Sequence, residues 1–194
     1  MKKLFLLIVL IYQQDFLLAQ LTLRGNIEYT SFDVNSPRTE NKDSFQIFLY
    51  SHINKNGLVT VLNRDKYHHI LSHYTYQLNS RQISNLNSIF NGDKFLKNYM
   101  VHTKLGTGDY YAGSYSFLRI KYINSKRDSL CFIPSIMNAK FQNIFDMLNN
   151  IYYQKKNITV IKPFLLPEDF IFSTSAEYLR SSFLPRINFP PSIN

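Results

Sequence analysis

The stretch FQIFLYSHI-NKNG-LVTVL, residues 45–62, constrains this chain more than any other. Phe45, Ile47 and Leu49 alternate with Gln46 and His52, and the opposite side still carries Phe48 and Tyr50, so the run reads as a strand with two apolar faces. Asn56-Gly57 then sits between two such runs. That pair signals a tight hairpin, because both central positions of the favoured turn need positive φ. LVTVL is the return strand. A lone hairpin is marginal in water, so the rest of the chain must supply partners for it.

The partners can be read in order. HYTYQL offers a third strand with Tyr74, Tyr76 and Leu78 on one face. In LNSRQISNLNSIFNG, Asn79 can accept from the backbone of Gln82 while Gln82 reaches back, and Leu78 can pack on Ile83; a capping box and a hydrophobic staple coincide. Ile83, Leu86, Ile89 and Phe90 form the apolar stripe of a helix over about 80–91, with Gly92 placed as its left-handed end. SYSFLRIKYI, NSKRD and SLCFIP form a second hairpin, with Leu118, Ile120 and Tyr122 inward and Arg119 and Lys121 exposed. Ser135 caps a second helix over about 136–153, in which Met137, Phe141, Ile144, Phe145, Leu148, Ile151 and Tyr152 make a core-facing stripe. The expected fold is α+β, a two-layer arrangement in which an antiparallel sheet of two hairpins is covered by two packing helices.

The ends of the chain differ from its middle. MKKLFLLIVLIYQQDFLLAQ has two lysines, an apolar run from Leu4 to Tyr12 and a small-residue site at Ala19, the layout of a secretory signal occupying 1–19. The run is too short to span a bilayer, which needs about 20 residues. Residues 20–42 are polar apart from NIEYTSFDV, where Ile27, Tyr29 and Val34 suit an edge strand. The α+β domain then covers 43–154, and 155–194 is a proline-rich extension with Pro163, Pro167, Pro185, Pro190 and Pro191 and no glycine. The extension is too apolar for a free tail, so it should lie along the domain or bind a partner, with a short helix in STSAEYLRSSFL. No later segment is long enough to cross a membrane, and the expected location is secreted or periplasmic.

Charge and cysteine usage narrow the chemistry. The full chain carries +9, and loss of Lys2, Lys3 and Asp15 lowers this by one. An anionic glycan or a protein partner fits that balance, while the scattered basic residues give no nucleic-acid signature. Cys131 is the only cysteine, so no internal disulfide is available, and its place in an apolar run reads as a buried thiol.

Two stretches could carry a site. YHHILSHY places His68, His69 and His73 together. If helical, His69 and His73 would share a face at i and i+4 and could ligate zinc, but no glutamate follows the first histidine as in metalloproteases. The expectation is no metal and no cofactor, and a solvated loop. KLGTGDYYAGSY holds three of the six glycines but has neither the lysine nor the following helix of a phosphate loop. It presents Asp109, Tyr110, Tyr111 and Tyr115, and tyrosine offers large apolar area with a polar tip for glycan or protein contact.

The order strand, NG turn, strand, LNSRQISNLNSIF helix, GDYYAG loop, strand hairpin and amphipathic helix, over residues 43–153, resembles uncharacterised secreted domains of Gram-negative bacteria. That resemblance implies the fold and the compartment and no particular chemistry. Two function classes follow from the residues. One is a non-enzymatic binding module using Tyr110, Tyr111 and Tyr115. The other is a small hydrolase or nuclease-like toxin, with His69 or His73 as general base, Asp109 nearby and Arg119 or Lys121 steadying a phosphate.

Overall fold

The computed structural model describes residues 22–34, 45–64, 71–90, 95–103, 111, 113–154 and 156–181. Among the described residues seven strands form one antiparallel sheet: β1 (Gly25–Val34), β2 (Phe45–Ile53), β3 (Leu58–Arg64), β4 (Leu71–Gln77), β5 (Tyr115–Tyr122), β6 (Arg127–Phe132) and β7 (Thr159–Val160). Their spatial order is β6-β5-β1-β2-β3-β4-β7. The fold is α+β as expected, and the two expected hairpins, β2–β3 and β5–β6, are joined by β1 between them. β1 is therefore not an edge strand. It pairs with β2 on one side and β5 on the other, and its polar residues Glu28 and Thr30 are buried with partners instead of solvated. Thr30 Oγ1 donates to the Leu49 carbonyl at 2.7 Å, and Glu28 meets Arg119.

The β2–β3 turn is wider than the Asn-Gly pair suggested. Gly57 N–H donates to the Asn54 carbonyl at 2.9 Å, and of the two residues only Gly57 has positive φ, at 77°. Asn54 closes the loop by accepting from the backbone of both Asn56 and Leu58. Glycine is needed at 57, because that φ is one that L side chains rarely adopt.

One face of the sheet carries Ile27, Tyr29, Leu49, Val61, Leu118 and Phe132 inward, against α1 (Ser80–Ile89), the 3₁₀ segment Leu96–Thr103 and α2 (Ala139–Tyr152). The capping box of α1 is complete: Gln82 N–H donates to Asn79 Oδ1 at 2.9 Å, and Asn79 N–H to Gln82 Oε1 at 2.9 Å. Gly92, the expected end of α1, lies outside the described residues. Asn79→Ala should cost about 1 kcal/mol, the usual worth of such a cap. Urea unfolding monitored by circular dichroism reads this directly, and no loss would mean that tertiary packing alone holds the helix start. α2 begins later than expected. Pro134–Ile136 is a separate 3₁₀ turn, and Asn138 is the cap, accepting from Phe141 N–H at 2.9 Å; Ser135 is not.

The opposite face is covered as well. Phe32, Tyr50, Leu62, Tyr115, Phe117 and Cys131 form a second cluster beneath α3 (Glu168–Arg180), with Phe170 wholly buried in it. The described part of the C-terminal extension, 156–181, thus lies along the domain, one of the two outcomes its apolar content allowed. α3 starts ahead of STSAEYLRSSFL, after Pro167, with Glu168 and Asp169 in its first turn and Arg180 in its last, an arrangement that suits the helix dipole. No helix among the described residues is long and apolar enough to cross a membrane.

Candidate functional site

The antiparallel register aligns Thr60, His52, Glu28, Arg119 and Ser129 across β3, β2, β1, β5 and β6. Side chains alternate along a strand, so this polar row falls on the face that α3 covers. Arg119 Nε donates to Glu28 Oε2 at 2.7 Å, and Lys121 Nζ stands 3.4 Å from the same oxygen. From α3, Asp169 Oδ2 lies 3.3 Å from Arg119 Nη2 and 3.1 Å from Lys121 Nζ. Ser173 Oγ accepts from Arg119 Nη1 at 2.9 Å, and the guanidinium sits 5.0 Å from the centre of the Phe170 ring. Two cations and two carboxylates balance, and together they bolt α3 to the sheet.

This row has a pH signature. Burial holds the His52 imidazole below its ordinary value; Glu28 opposes that shift, and Lys121 and Arg119 reinforce it. A depressed folded value means that the contribution to stability is complete above the unfolded value near 6.5 and is lost as pH falls through the folded one. The urea midpoint should therefore drop on acidification below 6.5, and His52→Gln should flatten that drop. An equal drop in wild type and variant would assign the acid loss to other groups. Asp169 acts in the same direction at lower pH. Partial burial raises it, but the hydrogen bond from Lys121 and the charges of Arg119 and Lys121 outweigh this and hold it below its ordinary 3.8.

A cleft opens where β4 outruns β7. The two strands pair only at Tyr74–Val160 and Thr75–Thr159, with Ile161 N–H donating to the His73 carbonyl at 3.0 Å. Pro163 follows and has no N–H to give. Leu71 and Ser72 run on past the pairing, and a cavity of about 430 Å³ lies beside them. Leu71, Tyr153, Ile158 and Val160 give it exposed apolar walls, while Asn63 and Gln154 add amide groups. His73 lines it too. The imidazole is 5% exposed and packs edge-on to Phe164 at 5.1 Å. Its Nε2 is buried without a hydrogen-bond partner among the described residues.

Those of the expected site residues that are described do not converge on one site. His69, Asp109 and Tyr110 lie outside the described residues. His73 sits in extended β4, where the i, i+4 argument has no meaning, and it is buried instead of solvated. Tyr115 is buried against Tyr178 and Phe32, and half-buried Tyr111 donates its hydroxyl to the Ser114 carbonyl at 2.8 Å, so neither stands out as a contact surface. Arg119 was expected on an exposed face but is 1% exposed, because α3 covers that face. Four strand spacings separate it from His73, roughly 19 Å at the usual distance between strands. Cys131 is buried as expected; burial, with the negative charge of Glu177, pushes its thiol up and away from the reactive thiolate. Among the described residues no group of three or more His, Cys, Asp or Glu is gathered for a metal ion.

Sequence reasoning missed Glu28 and Asp169, and weighed His52 only as a possible further metal ligand, not as a member of this row. One signal was present: a carboxylate on the apolar strand NIEYTSFDV must find a cation if both faces of that strand are covered. No protein-family model, curated protein or solved structure matches this chain.

Proposed function

We propose that this chain is an exported binding module whose ligand occupies the β4–β7 cleft. The observation that carries the reading is the cleft itself, about 430 Å³ of largely apolar wall with one buried histidine nitrogen left unpartnered among the described residues. Ligand sites commonly have this size and this pattern, apolar walls with a few placed polar groups. A buried polar atom without a partner costs free energy, so a ligand that bonds to it gains more than the same contact at the surface would give. The signal-like layout of 1–19 and the resemblance to secreted domains support a periplasmic or extracellular location for the module. The hydrolytic reading draws less support, since Arg119 and Lys121 are engaged with Glu28 and Asp169.

The test is a ¹⁵N NMR titration of the protein with indole, phenol and imidazole fragments at millimolar concentration. Amide shifts centred on Leu71, His73 and Val160 are expected, with binding of the polar fragments weakened in His73→Phe, which keeps the ring and removes its nitrogens. Shifts confined to other parts of the sheet would rule out the cleft.

A further inference from the structure

The unfinished ladder beside the cleft points to a class of ligand. Ile161 pairs inward with His73, so continuing the same register sets Pro163 opposite Leu71. Backbone groups in an antiparallel strand alternate in direction; those of His73 face β7, and so do those of Leu71, two residues away. Ser72 faces β3, opposite Asn63. The N–H and C=O of Leu71 therefore point to the side from which β7 has departed, and no described residue pairs with them. An open edge of this kind is a template for another strand. It adjoins the cavity of about 430 Å³, and His73, whose buried Nε2 has no hydrogen-bond partner among the described residues, is one of the residues lining it.

The charge around this edge selects the partner. Arg64 lies directly across from Leu71 in the sheet, and its Nε is buried without a hydrogen-bond partner among the described residues. Exposed Lys156 and Lys162 flank β7, and no carboxylate among the described residues lines the cavity. A second copy of this chain would bring the same cations to the same edge within a protein already at +9. From these observations we propose that the cleft takes an extended acidic peptide segment, which adds to the sheet at Leu71 and places one side chain in the cavity beside His73. Main-chain bonds supply the affinity in such strand addition, and the pocket supplies the selectivity. The proposal rests on the binding-module reading above and names the ligand for the same cleft.

The experiment titrates the protein with three acetylated and amidated heptapeptides: alternating Glu-Val, alternating Lys-Val, and the Glu-Val peptide with proline at its central residue. Binding is followed by ¹⁵N NMR and by hydrogen exchange at the Leu71 amide. The expected result is binding of the Glu-Val peptide with at least tenfold slower exchange at Leu71. The lysine and proline peptides should bind at least tenfold more weakly, and added salt should loosen the complex. Equal binding of the lysine peptide, or binding without protection of Leu71, overturns the proposal. If the fragments shift the cleft but no peptide does, the peptide ligand is wrong while the module reading stands. If neither binds there, both fall. A Glu-Val peptide that binds only by promoting a dimer, seen by sedimentation, also overturns it.

Discussion

Arg119→Ala should lower the free energy of unfolding by about 3–5 kcal/mol, the cost of breaking a buried pair from one side. Glu28 would be left 4% exposed with Lys121 as its remaining cation, and Phe170 and Asp169 would lose the guanidinium that holds α3 to the sheet. The loss should appear as a lower urea midpoint at unchanged slope, since the surface exposed on unfolding is nearly the same. Removing the charge from both sides is the informative control. Arg119→Met with Glu28→Gln keeps volume and takes away the uncompensated carboxylate, so most of the stability should return. A single variant that costs under about 1 kcal/mol would mean that the pair behaves like a surface one.

Phe141→Ala should cost a similar amount, about 3–5 kcal/mol, through a different mechanism. The ring is 1% exposed and touches Phe132 of β6 and Tyr99 of the 3₁₀ segment, each with centroids 4.9 Å apart. Truncation leaves a cavity at the point where helix, sheet and connecting segment meet. Phe141→Leu fills most of that volume and should cost far less. Thermal unfolding of the two variants side by side separates lost volume from lost aromatic contact; equal costs would show that ring geometry, not volume, matters at this position.

The sequence was most readable where one local rule acted alone. Asn79 and Gln82 sit three residues apart, and their reciprocal bonds need nothing from the rest of the fold. The same holds for the stripe from Phe141 to Tyr152, which has only to face something apolar. The sheet was harder. β1 looked like an edge strand because Glu28 and Thr30 alternate with its apolar residues, and alternation normally means that one face meets water. Here both faces are covered, and the polar positions are satisfied by groups distant in sequence. Glu28 finds Arg119 across 91 residues, a pairing that no local pattern announces.

The same limit affected the site. His73 was noticed because three histidines stand close in sequence, yet its interest lies in Phe164 beside it and in the departure of β7 at Pro163. Tyr115 was noticed for its glycine-rich neighbourhood, which says nothing of the helix that buries it. Neither covering element is visible from the residue it covers. The extension beginning at Lys155 was marked only by prolines and apolar content, enough to require a surface to lie on but not to say which.

The position of β1 bears on how the chain reaches its native state. Synthesis delivers residues 25–34 early, and β2 follows within reach, but the other neighbour of β1, β5, begins at Tyr115. Tyr29 reaches Ser116 across 87 residues, so the centre of the sheet is closed by contacts far apart in sequence. Such topology folds slowly, because loop entropy is lost before the pairing is gained. An N-terminal fragment ending before β5 would hold β1 with one side unpaired and no cover for its charged face. Assembly therefore waits on the second half of the polypeptide, and the emerging first half is the species most in need of protection from aggregation.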